Sequence, residues 1–244
     1  MQYALIKPKT QLDKIIKGLT LICALCICVI LIAICISLIS ESFPAMRKFG
    51  GEFIISDVWN PPLNQFGAIS AIIGTLITSL IALLISIPLS YGIAISVTQL
   101  LPKKLSAILS RLIELMSGIP SIIYGMWGLF VFGPFLMDYI EMPIYQALQG
   151  APGSSEILGV YPFSASIFTA SIILGIMIIP IMSTIMINTL NSISPLLMEA
   201  GYGLGTTRFQ VIRSILIPKV KSGLYGAITI ALGRALGETM AVTL

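Results

Sequence analysis

Five apolar runs divide this chain, each long enough to cross a bilayer, and they restrict its fold more than any other feature of the sequence. A straight crossing of ~30 Å at ~1.5 Å per residue needs about 20 residues. The first run, 18–40, is uncharged and lies between Lys17 and Glu41. Its exit, Ser37-Leu38-Ile39-Ser40-Glu41, lacks the small-x-small pattern of a cleaved signal peptide, so it is expected to stay as a first membrane helix. The second run, 66–101, exceeds a straight crossing and must tilt, begin outside the hydrocarbon, or bend, as Pro88 would allow. The remaining three cover 113–137, 163–190 and 222 to the end. Pro120 and Pro180 interrupt the third and fourth. Membrane helices tolerate such breaks where neighbours or cavities satisfy the freed carbonyls, and the breaks often line a pathway.

Composition excludes the main alternatives. Only 10% of the 244 residues are charged, against about a quarter in soluble domains, and the mean hydropathy is +1.01. The bilayer is therefore the principal solvent, and no large soluble domain fits between the spans. The expected fold is an all-α polytopic transmembrane bundle. There is no histidine, which removes the usual zinc and haem ligand and the commonest general base, so no metal site and no catalytic residue are expected. Cys23, Cys26, Cys28 and Cys35 all fall inside the first apolar run. The Cys23/Cys26 pair therefore matches a redox motif by spacing alone, and these cysteines read as small packing or lipid-facing residues.

Basic residues set the orientation. Threading the runs alternately puts the N-terminus, 101–112 and 191–221 on one side, with eleven of the fourteen basic residues: Lys7, Lys9, Lys14, Lys17, Lys103, Lys104, Arg111, Arg208, Arg213, Lys219 and Lys221. Arg47 and Lys48 lie opposite, and Arg234 falls within a span. This bias predicts a cytoplasmic N-terminus. Glu41, Glu52, Asp57, Asp138, Glu141 and Glu156 fall on the outer side, a weaker hint. Five crossings then end outside. The last run reaches Leu244 without a charged flank, so a sixth helix is expected beyond it.

The inner segment 191–221 holds Glu199-Ala200-Gly201, three residues, Gly205, nine residues, Ile215, one residue, then Ile217-Pro218. Small residues on a short helix let a partner's backbone approach closely. Gly205 permits a sharp turn, and Pro218 is expected to start the next element. In spacing the segment resembles the EAA loop of ABC importer permeases, with Gly201 in place of the second alanine and Ile217 in place of leucine. The resemblance implies that Glu199, Ala200, Gly201, Gly205, Ile215 and Pro218 dock an ATPase subunit. No G-x-x-x-x-G-K-[ST] phosphate loop occurs, so the ATP and Mg belong to a partner chain and this chain is expected to bind no cofactor.

Further segments narrow the likeness. They are Trp59-Asn60-Pro61 with Phe66-Gly67 and Gly74-Thr75-Leu76, 113–121 with Tyr124-Gly125, and 233–242, which runs from Gly233 through Arg234 and Gly237-Glu238. In these the chain resembles the PstC-type permease subunits of bacterial phosphate importers. The resemblance implies an inner-membrane protein with a sister permease, two ATP-binding subunits and a periplasmic phosphate-binding protein, and no nucleic-acid partner. Hydropathy and charge divide the chain into a cytoplasmic tail (1–17), a first transmembrane helix (18–40), a periplasmic loop (41–65) and a permease core (66–244), in which the resemblance puts the docking loop at 195–220.

Arg234 and Glu238 are the only ionisable pair deep within an expected span, where charges are costly and default to function. At i and i+4 they share one helix face, beside Gly233 and Gly237, which allow close packing. A guanidinium offers a permanently charged, planar fork of donors suited to two phosphate oxygens. Glu238 could orient that fork, accept the proton that phosphate carries and sulfate lacks, and keep binding loose enough for release. The plain alternative is a neutralised pair that only fixes packing. Glu114 reads as an interfacial partner of Arg111. Trp59, Trp127, Tyr124 and Tyr139 read as interfacial or packing aromatics, and Asn188 and Asn191 as pathway-lining or helix-end polar groups. Rival functions are an ABC permease for molybdate or sulfate, an ATP-independent secondary carrier, and a structural scaffold.

Overall fold

The computed structural model describes residues 11–148 and 166–239. Lys7, Lys9, Glu156, residues 163–165 and the end of the 233–242 segment lie outside them. The described elements are helical, apart from one isolated antiparallel bridge between Asn60 and Gln65. Five helices are long and apolar enough to cross a membrane. The chain divides into two compact units, Met1–Ser70 and Ala71–Leu244.

In the first unit, α1 (Gln11–Phe49) has 39 residues, about 58 Å at 1.5 Å per residue, and extends past the uncharged stretch 18–40 at both ends. It carries no polar stripe through its centre, as suits a membrane span. Its four cysteines are unpaired thiols. Gly50 (φ +57) ends the helix, with its N–H bonded to the Met46 carbonyl at 2.9 Å. The short helix α2 (Glu52–Ile55) and a 3-10 turn (Pro61–Leu63) follow. Phe66 joins them, its ring meeting Phe49 at 5.7 Å and Trp59 at 5.1 Å, both edge-on. Trp59 keeps this edge contact while 67% exposed.

The second unit holds α3 (Ile69–Leu100), the amphipathic α4 (Lys103–Ser117), α5 (Ser121–Ala147), α6 (Ile167–Asn191), α7 (Pro195–Gly203) and α8 (Arg208–Leu236). Three boundaries differ from those expected. The third span begins at Ser121, because Gly118 caps α4 and Pro120 is extended (φ −57, ψ 136), so Ile113–Ser117 belong to a separate helix. A proline biases the residue before it away from the helical region, and it ends α4 instead of bending a span. The stretch 101–112, expected as a loop, forms most of α4, with Lys103, Lys104, Arg111 and Glu114 on its polar side. The fifth span starts earlier, at Arg208, and stops at Leu236.

Prolines also explain where the helices widen. Four turns close with i to i−5 hydrogen bonds, at Ser96–Leu100, Gly128–Phe132, Met137–Glu141 and Ile212–Leu216. Each ends two residues before a proline: Pro102, Pro134, Pro143 and Pro218. Proline cannot donate to the i−4 carbonyl, and its ring collides with that carbonyl. A widened turn just upstream relieves the collision, and the N–H of the residue before proline still finds an acceptor, as Ile217 does at the Ile212 carbonyl. Pro88 and Pro180 sit inside α3 and α6 without such a turn.

Helix α6 is the hub, with 61% of its apolar window buried. Small residues allow its neighbours to come close. A side chain at Gly175 would touch the Ala82 carbonyl at 3.4 Å, one at Gly128 would collide with Ile173, and one at Gly223 with Thr189. The core formed by Ala82, Ala94, Leu174, Ile178, Met182, Met186, Ala227 and Ala231 fills these contacts. Lipid offers no hydrophobic force to drive helices together, so close packing and polar contacts do this. Ser90 Oγ donates to the Ile179 carbonyl at 3.3 Å, joining α3 to α6. At the other end of α6, Glu141 Oε1 on α5 accepts from Ser166 Oγ at 2.6 Å and from Thr169 Oγ1 at 3.2 Å. That carboxylate also lies against the positive end of the α6 dipole.

Candidate functional site

The docking segment folds as a helix, a left-handed turn and a capped helix start. Pro195 occupies the first turn of α7, where its missing N–H costs nothing. At the other end the Thr206 N–H reaches the Gly201 carbonyl at 3.4 Å and the Gly205 N–H the Tyr202 carbonyl at 2.9 Å. With Gly205 at φ +77, this is a Schellman motif, which requires a residue that tolerates the left-handed region. Thr207 then opens α8 through a capping box: its N–H donates to Gln210 Oε1 at 2.8 Å, and the Gln210 N–H donates back to Thr207 Oγ1 at 3.4 Å. The Thr-x-x-Gln spacing is visible in the sequence and marks the start of α8, which sequence reading overlooked. Pro218 accordingly does not start a helix but lies ten residues into one, after the widened turn.

The six residues expected to dock divide by direction. Glu199, Ala200, Gly205 and Pro218 are exposed. Nothing lies within 4 Å of where a side chain at Gly203 or Gly205 would begin, so small residues face open space. Leu196 (72% exposed) and Leu204 (85%) form an apolar rim around them, another feature that sequence reading did not single out. Gly201 and Ile215 turn inward: a β-carbon at Gly201 would stand 2.8 Å from Ile215 Cδ1 and 3.2 Å from Val211 Cγ2. The glycine in place of alanine therefore makes room for Ile215, which braces the α7–α8 corner from below.

This gives a direct test. Gly201→Ala should lower the thermal midpoint of the purified protein, at about 1 kcal/mol of overpacking, and Ile215→Val should recover most of that loss in the double variant. Additive losses would mean that the two side chains do not share the space.

The second feature stands at the far end of α8. Its last helical residue is Leu236; the Gly237 N–H bonds to the Gly233 carbonyl at 3.1 Å and the Glu238 N–H to the Ala235 carbonyl at 3.4 Å. Arg234 is in the final turn and Glu238 lies just beyond the cap, so the pair straddles a helix end instead of sharing one continuous helix face. Arg234 Nε is 3.9 Å from Glu238 Oε2, with the arginine side chain 45% exposed and the glutamate 7%. A cation in the last turn complements the helix dipole. Among the described residues no hydrogen bond occupies the remaining guanidinium donors. From Lys221 to Arg234 is thirteen residues, about 20 Å of helix, so the guanidinium lies well inside the bilayer when the lysine is at its surface.

Other candidates stay apart from this site. Asn188 and Asn191 are exposed at the end of α6, and no ion pair joins Arg111 to Glu114, both exposed on α4. Tyr124 is buried, and its hydroxyl donates to the Met116 carbonyl at 3.2 Å, tying α5 to α4. Trp127 stacks on Phe132 at 4.8 Å and Tyr139 lies against Phe135 at 4.9 Å, and both rings remain exposed. No cluster of metal-ligating side chains occurs among the described residues.

Comparison with known proteins agrees with this architecture. The family described as "Binding-protein-dependent transport system inner membrane component" matches residues 86–244. The "Phosphate transport system permease protein PstC" of Haemophilus influenzae is 43% identical over 235 residues, covering 96% of this chain and 75% of that protein. Its counterpart in Mesorhizobium japonicum is 42% identical, covering 95% of this chain and 71% of the relative. That of Pasteurella multocida is 40% identical, with 90% and 69% covered. Five span-length helices, an exposed turn with EAA spacing, and identity of this extent along nearly the whole chain agree: it belongs to the binding-protein-dependent transport system inner membrane components, among the PstC-type permeases.

Proposed function

We propose that this chain forms the membrane pathway of an ATP-driven importer carrying inorganic phosphate into the cytoplasm, with ATP hydrolysed by a separate subunit. The observation that carries the reading is the knob at 195–218. It combines an exposed small-residue surface, an apolar rim and a rigid base, and a carrier working alone has no use for it. An ATPase subunit seats on Glu199, Ala200 and Gly205, supplies the ATP and Mg, and passes its closure through Ile215 and α8 to the membrane. The basic bias puts the knob and the N-terminus in the cytoplasm. A sister permease and a periplasmic phosphate-binding protein complete the assembly.

Substrate choice rests on the relatives' names and on the guanidinium. Arg234 presents donors that no described residue engages, on a half-open side chain within the bilayer, and the helix end beside it resembles the broken helices that build transport sites. Glu238 holds the fork through one nitrogen and limits how tightly an anion binds, as release requires.

The decisive experiment is uptake of labelled phosphate by the assembled transporter in vesicles, with and without internal ATP. Uptake that needs ATP and resists excess sulfate and molybdate is expected. Suppression by either oxyanion would reassign the substrate, and uptake driven by an ion gradient without ATP would make the protein a secondary carrier.

A further inference from the structure

Helix α3 has 32 residues, about 48 Å against a hydrocarbon thickness of ~30 Å, so part of it stands outside the membrane core. That part is the end at Leu100. Tyr91, Ile95 and Leu100 line one groove with Arg208, Ile212 and Ile217. These α8 residues come before Lys219 and Lys221, the lysines that mark the membrane surface. The last turns of α3 and the first turns of α8 therefore share an aqueous layer.

Helix α4 folds back along the same layer. Leu109 and Ile113 face Pro88, Gly92 and Val97 across a second groove, of about 460 Å³, and pack against the core. The neighbouring face of α4 is open: Leu105, Ile108, Leu112 and Leu115 are all exposed, the last at 71%. Their 3-4-3 spacing is the seam that one helix offers to another. Lys104 and Arg111 are exposed one turn before Ile108 and Leu115 and run down one edge of that seam. Lipid tails do not reach into an aqueous layer, so an apolar stripe of this size marks a contact with another protein.

The kind of protein follows from where the stripe leads and from its charge. It ends where α5 begins, at the bond from the Tyr124 hydroxyl to the Met116 carbonyl, and Ile123 and Met126 in the first turns of that span are exposed as well. A partner lying along the stripe therefore continues into the bilayer, which a soluble ATPase subunit does not. A second copy of this chain would set Lys104 and Arg111 beside their own counterparts. Of the four charged residues on α4, only Glu114 is acidic, so such a pair repels.

We propose that this face of α4 is the seam to the sister permease. A helix of that subunit lies along Leu105, Ile108, Leu112 and Leu115, with acidic residues opposite Lys104 and Arg111, and its apolar side chains enter the groove beside Leu109. The assignment rests on the permease reading above and adds the surface through which the two permeases meet.

The test uses the transporter assembled with its sister permease and ATPase subunits, with the photoreactive residue p-benzoylphenylalanine placed at Ile108, at Leu112, or at Ala107 on the far side of the helix. Illumination should join positions 108 and 112 to the sister permease, identified by mass spectrometry, and position 107 to it far less. Ile108→Gln and Leu112→Gln should each make the two permeases separate on dilution at about tenfold higher concentration, the scale of one buried apolar side chain lost. Arg111→Glu should weaken the pair too, more at low salt than at high. Cross-links from 108 and 112 to the ATPase subunit, to a second copy of this chain or to no protein overturn the seam, as does a double glutamine variant that pairs normally. Phosphate uptake by the same preparations keeps the two questions apart. ATP-dependent uptake with cross-links elsewhere removes only the seam, whereas uptake without ATP removes the permease reading itself.

Discussion

Replacing Arg234 with alanine should stop phosphate uptake by the assembled transporter, to roughly 1% of the unaltered rate or below, while leaving the complex and its ATPase subunits together. The magnitude follows from the chemistry: charge-assisted hydrogen bonds worth about 3 kcal/mol in all, lost from the step that carries the anion through, slow it roughly 100-fold. Normal uptake would refute the assignment. Arg234→Lys should also be impaired, because a point charge does not reproduce a planar fork, and full activity there would reduce the role to simple charge.

One complication must be separated from this effect. Glu238 is nearly buried, and removing Arg234 takes away the cation that faces its carboxylate at 3.9 Å. Arg234→Ala combined with Glu238→Gln keeps the charges of the pair balanced. If the arginine contacts the anion, the double variant stays inactive; if the pair only secures packing, the double variant regains transport.

Replacing Gly205 with valine should uncouple the transporter. At φ +77 a β-branched residue costs more than the about 1–2 kcal/mol that any L side chain incurs in the left-handed region. The Schellman bonds from Thr206 and Gly205 then have to open, and the Thr207 capping box shifts with them. The knob changes shape where the ATPase subunit would sit. ATP-dependent uptake is expected to fall at least about tenfold, on the scale of 1.4 kcal/mol lost at one contact, with the ATPase subunit released more readily during purification. Gly205→Asn, which tolerates this conformation, should keep most of the activity. Equal activity of the valine and asparagine variants would show that backbone shape at Gly205 does not matter to coupling.

Much of this was legible in the residues. The run 18–40 and the four that follow correspond to helices of spanning length, and the spacing from Glu199 to Pro218 located the knob. The errors cluster where charge and proline had to be weighed together. Ile113–Ser117 read as the start of a span because the run beyond is apolar, yet Arg111 and Glu114 belong to the same amphipathic helix, which Gly118 and Pro120 end. Pro218 read as a helix start because proline favours first turns, but the Thr207–Gln210 capping box had already opened α8 ten residues earlier. Glu141 read only as an outer-side charge, and no local pattern announces that Ser166 and Thr169 would converge on its carboxylate from 25 and 28 residues away.

Hydropathy accumulates along a single segment and needs no partner, so the amino-acid sequence alone determined that the chain crosses a bilayer repeatedly through helices, carries a segment with EAA spacing, and keeps an arginine and a glutamate near each other within a membrane run. Direction depends on what stands across from a residue. Only the tertiary structure therefore decided that Gly201 turns inward beneath Ile215 while Gly205 faces out, that α8 ends between Arg234 and Glu238, and that Arg208 and Arg213 flank an apolar groove made jointly with α3.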